Sequence, residues 1–135
     1  MLKINKLREF VAVCVATLEP VRSGKLVVTK DEVTKFMKDH EMDDNILLLA
    51  IVPEHDLGGQ DDALKYQNML GFYLFEKTDY SEHDHDSYLD IFVRTQAAAK
   101  LLVEKILEER ENQCGFLGGM FLDLNTSSIT ISPVK

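Results

Sequence analysis

Apolar and polar positions along the chain follow two periods, and their order predicts the elements. From Asp86 to Arg110 no Gly or Pro interrupts the sequence. Tyr88, Leu89, Phe92, Thr95, Ala99, Leu102, Val103, Ile106 and Leu107 recur there at helical spacing, about 3.6 residues per turn. Asp90, Arg94, Glu104, Lys105 and Glu108 fall on the other side. Ser87-Tyr88-Leu89-Asp90 places a hydroxyl three residues before an acid, the pattern by which side chains satisfy the open amides of a first turn. A long helix with such a stripe has to lie across a larger apolar surface.

Two runs supply that surface. From Asn45 to Pro53 the apolar residues Ile46, Leu47, Leu48, Leu49, Ala50, Ile51 and Val52 are continuous. Both faces of such a strand must be covered, so it is predicted to be central in its sheet. A second strand is predicted at about 67–77, where Gly71 marks a bulge or a close approach of another backbone. Residues 3–18 fit either a strand, through alternating Val11, Val13 and Val15, or a helix, through Leu7, Phe10, Val11, Cys14 and Leu18. Length and the charged first half favour the helix, and Pro20 ends it. A short strand is predicted over Lys25–Thr29 and a short helix over Asp31–Asp39, with Val33, Phe36 and Met37 on its apolar side. Glu54–Lys65 and Thr78–His85 read as polar loops, and two short runs between 116 and 132 as a closing hairpin. The prediction is one α+β domain over residues 1–135. Its sheet is mixed or mainly antiparallel, covered by an N-terminal helix and one long helix, with a C-terminal hairpin.

Charge and composition narrow the partners. The net charge of −8 over 135 residues leaves no basic stripe with which to displace counterions from nucleic acid, so none is expected as a partner. No apolar run reaches the eighteen or so residues of a membrane span. The charges interleaved through the first nine residues do not form a signal peptide, so a cytoplasmic product is expected. Cys14 and Cys114 form no CxxC pair and are expected as reduced thiols.

Candidate chemistry is sparse. Glu82-His83-Asp84-His85-Asp86 offers imidazoles and carboxylates as metal ligands, but also the acids that cap and stabilise a helix start. Pro53 to Asp62 carries His55 with Asp56 and Asp61, at the end of the best strand, where an acid–base pair has a use. Neither Cys14 nor Cys114 has neighbours that would lower its pKa, and no triad assembles. The expectation is therefore a non-enzymatic protein with no catalytic residues, cofactor or metal. His55, His83 and His85 are the candidate ligands if a metal is used. On the long helix, Ala97 and Leu101 lie away from the core stripe, with Ala98 and Ile91 beside them. A helix that only covered a sheet would be polar there, so this patch is a candidate subunit interface.

The order of elements resembles a known group. It runs from an N-terminal helix with Leu7-Arg8-Glu9-Phe10, through a strand and a core strand ending at Pro53, to a long acidic loop and a second strand. A long helix from Tyr88 to Ile106 follows, then a hairpin through Phe121-Leu122-Asp123-Leu124 and Ile129-Thr130-Ile131. This is similar to small virion-assembly proteins of tailed phages and phage-derived contractile systems, the tail-terminator and tail-completion group. The resemblance implies a structural protein that forms homo-oligomeric rings and contacts other tail proteins, assembled into a virion or tail-like particle. It also implies that the acidic loops, including Asp61 and Asp62, are contact arms. Two other classes stay open: a small metal-dependent enzyme using the His/Asp loops, and a monomeric acidic adaptor domain.

Overall fold

The computed structural model describes residues 4–40, 46–52, 55–58, 65–68, 70–77, 84–111 and 129–131. The first helix, α1, runs Ile4–Thr17 and buries Leu7, Phe10, Val11 and Cys14 on one side. The chain then turns across Pro20, with the Val21 amide donating to the Leu18 carbonyl at 3.0 Å.

Strand β1, Ser23–Val27, starts and ends two residues before the predicted span. Thr29 is used elsewhere: it caps α2, Lys30–Asp39, by accepting from the Glu32 amide. Glu32 reaches back to the Val28 amide at 3.3 Å, a variant of the reciprocal cap that satisfies first-turn donors. Strand β2, Leu47–Ile51, follows.

The span expected to be a loop, 54–65, contains a strand. β3, His55–Gly58, pairs antiparallel with β4, Lys65–Asn68, in a separate two-stranded sheet. The predicted single strand over 67–77 is therefore two elements, β4 and β5, the latter Gly71–Phe75. Gly71 begins β5, where a Cβ would lie 3.0 Å from Ile51 Cδ1, so what comes close to this glycine is a side chain rather than the backbone expected.

The main sheet has the order β1-β2-β5, with β1 parallel to β2 and β2 antiparallel to β5. β2 is the central strand, as its unbroken apolar run requires. The register sets two faces. Leu26, Leu48, Ala50, Phe72 and Leu74 face α1 and α3, the helix His85–Glu111. Val27, Leu47, Leu49, Ile51, Tyr73 and Phe75 face the side of Val33 and Phe36 on α2. The class is α+β with a mixed sheet and both expected covering helices, and α2 adds a third layer. Leu48 and Leu49 are fully buried on opposite faces, each worth about 2 kcal/mol of removal from water. Of the expected C-terminal hairpin, residues 129–131 belong to no strand. The remainder lies outside the described residues.

Candidate functional site

Helix α3 is 27 residues long, about 40 Å at 1.5 Å per residue. Asp84 starts it. Its carboxylate accepts from the Ser87 amide at 2.8 Å, and its carbonyl accepts from the Tyr88 amide at 3.0 Å. The cap is thus Asp84 rather than Ser87, whose hydroxyl donates back to the Asp84 carbonyl. An acid here also suits the positive end of the helix dipole.

The inward side of α3 is Ile91, Ala98, Leu102, Ile106 and Glu109. That corrects three expectations. Ile91, expected beside the outer patch, is 8% exposed and in the core. Ala98 is 0% exposed and belongs to the core, not to an outer patch. Leu89, expected inward, is 44% exposed. From 88 to 93 the sequence is apolar nearly all round the helix, so periodicity cannot choose the face; contact with the sheet does.

Ala97 and Leu101 do lie outside, and two more apolar residues extend them. Leu89, Val93 and Leu101 are exposed large apolar side chains, Val93 by 62%, and Ala97 is exposed between them. Residues 89, 93, 97 and 101 are spaced four apart, which makes one i±4n ridge, the kind that meets another helix in the commonest packing class. Beside the ridge, Arg94 holds Glu76 through both carboxylate oxygens, its Nη2 2.7 Å from Oε1 and its Nε 3.0 Å from Oε2. The hydrogen bonds and charge of Glu76, with Asp90 one turn away, hold the guanidinium pKa above its ordinary value.

Of the candidate metal ligands, His55 and His85 fall among the described residues, in different elements. His85 is exposed in the first turn of α3, and His55 lies in β3 opposite Asn68. His83, Asp61 and Asp62 lie outside the described residues. Among the described residues no group of three or more His, Cys, Asp or Glu side chains is placed to hold a metal ion.

One polar cluster was hidden in the sequence. Lys105, expected to face solvent, is 13% exposed and bonds Glu109, itself 7% exposed, at 3.4 Å. Burial works against the Lys105 charge, but hydrogen bonds and the charges of Glu108 and Glu109 outweigh it and raise its pKa. The pair lies near Cys14, whose thiol burial pushes up to about 12 against the smaller opposing effect of Lys105. Burial of this kind favours the protonated form of the thiol at neutral pH. His40, 8% exposed, closes α2, and its Nε2 has no hydrogen-bond partner among the described residues. A shallow groove of about 330 Å³ between α1 and β1 is lined by Arg8, Val11, Ala12, Gly24, Lys25 and Leu26. Among the described residues its lining has two cations and no acid or nucleophile.

No protein-family model, curated protein or solved structure matches the chain. Among the described residues no helix is long and apolar enough to cross a membrane.

Proposed function

We propose that the chain is a non-enzymatic structural protein that assembles with copies of itself. Its specific form, suggested by the order of its elements, is a ring-forming subunit of a phage tail or phage-derived contractile apparatus. The observation that carries the reading is the apolar ridge Leu89, Val93, Ala97 and Leu101 on the outside of α3. The other side of this helix covers the sheet, and the second apolar ridge is left exposed. Isolated exposed leucines are ordinary, but a continuous row marks a contact surface. In this reading the particle is assembled in the cytoplasm and the acidic arms, with Asp61 and Asp62, contact neighbouring subunits or other tail proteins.

Light scattering at tens of micromolar, with negative-stain imaging of the same sample, tests the proposal. Oligomers of defined mass, seen as closed rings, are expected. A strict monomer that forms no ring counts against it.

A further inference from the structure

We infer that the outer edge of β1 takes up an extended peptide with two consecutive acidic residues, added antiparallel as a further strand of the main sheet. The inference is independent of the self-assembly reading. β1 stands at the end of the order β1-β2-β5, and among the described residues no strand pairs with its other side. The Val52 amide donates to the Val27 carbonyl at 2.9 Å, so residue 27 turns its peptide groups towards β2. Alternate residues of a strand turn theirs the opposite way. Gly24 and Leu26 therefore present amide and carbonyl outward, a template for one more strand.

There is room for that strand beside α1. The groove of about 330 Å³ lies there, lined by Arg8, Val11 and Ala12 of α1 and by Gly24, Lys25 and Leu26 of β1. Gly24 has no side chain to fill it, and Ala12 contributes only a methyl group.

Charge selects the occupant. Lys25 is paired with Leu49 in the sheet and shares its face, the α2 side; its Nζ lies 5.9 Å from the centre of the Phe36 ring. Arg8 stands on the α1 side, and both cations are exposed. Consecutive side chains of an added strand point to opposite faces. The residue opposite Lys25 thus meets its ammonium, and the next residue turns towards α1 and Arg8. Two adjacent acids find one cation on each side of the sheet. The described edges of a second copy do not supply them. Pairing Gly24 and Leu26 with Leu26 and Gly24 of another β1 sets Lys25 against Lys25, like charges directly opposite. β5 holds no acid.

Fluorescence anisotropy of a labelled, end-blocked peptide Thr-Val-Asp-Glu-Val-Thr mixed with the whole chain tests this. Saturable binding is expected, weakened about tenfold by Lys25→Glu and by Arg8→Glu. It is expected to be lost when the two acids of the peptide are replaced by lysines, or when its backbone amides are N-methylated. Equal binding of the lysine peptide, equal binding of the N-methylated peptide, or no binding of the acidic peptide at millimolar concentration each overturns the proposal. None of these outcomes bears on self-assembly, which light scattering reads separately.

Discussion

Gly24 of β1 lies directly beneath Val11 of α1: a Cβ built on Gly24 would fall 2.7 Å from Val11 Cγ1 and 2.8 Å from Val15 Cγ2. The absence of a side chain sets how closely the first helix approaches the sheet. Gly24→Ala is expected to force α1 outward and cost about 1–3 kcal/mol. Denaturant unfolding measures it, and adding Val11→Ala and Val15→Ala to the same chain should lessen the strain while opening a cavity. A Gly24→Ala chain as stable as the parent would show that the helix lifts at no cost.

At the start of α3 the relative weight of two residues is set. Asp84→Ala removes both the acceptor for the Ser87 amide and a negative charge at the helix N-terminus, with an expected loss of about 1 kcal/mol. Ser87→Ala removes a hydroxyl whose acceptor, the Asp84 carbonyl, is also used by the Tyr88 amide, so its effect should be smaller. Thermal melts of the two variants compare them, and a larger loss in Ser87→Ala would move the cap to that residue.

The Cys14 thiol gives the fold a pH dependence of known sign. Its pKa is raised from 9.0 to about 12 in the folded chain, so the folded state binds the proton more tightly than the unfolded one. The stability this provides is complete below pH 9 and is lost as pH rises from about 9 towards 12, by up to ~1.4 kcal/mol per pH unit. Unfolding curves between pH 7 and 10.5 should fall more steeply for the parent than for Cys14→Ala. In a Cys114→Ser background the remaining thiol should react with a thiol reagent only on unfolding. Prompt reaction at pH 8 would contradict the burial of this side chain.

Several parts of this architecture are written locally in the residues. The unbroken run Ile46–Val52 demands cover on both sides, and β2 is paired on both edges and packed on both faces. Leu7, Phe10, Val11, Cys14 and Leu18 keep helical spacing, and all five are buried. Gly71 signals a close approach of backbone, but the side chain of Ile51 is what lies near it. The rotation of α3 is not local, because Leu89, Ile91 and Phe92 point in different directions and all are apolar. Only the sheet determines that Ala98 goes in and Leu89 stays out. The candidate contact surface was therefore half legible: Ala97 and Leu101 stood out, while Leu89, counted with the core, concealed the length of the ridge. The burial of Glu109 could not be read at all, since it depends on Lys105 one turn earlier and on Cys14 from the far end of the chain. The strand pairing inside 54–65 was obscured by its glycines and acids, which look like turn chemistry.

Leu7 and Ile106 belong to one core cluster, and that fixes an order of events during synthesis. The first helix leaves the ribosome early, yet two of its core partners, Leu102 and Ile106, are among the last parts of the described fold to be made. Until they arrive, Leu7, Phe10 and Val11 have only the sheet to cover them, and the sheet itself waits for β5. Contacts so distant in sequence close late and slow the search for the folded state. A ribosome that stalled before Leu102 would hold a chain whose oldest apolar face is still incompletely covered.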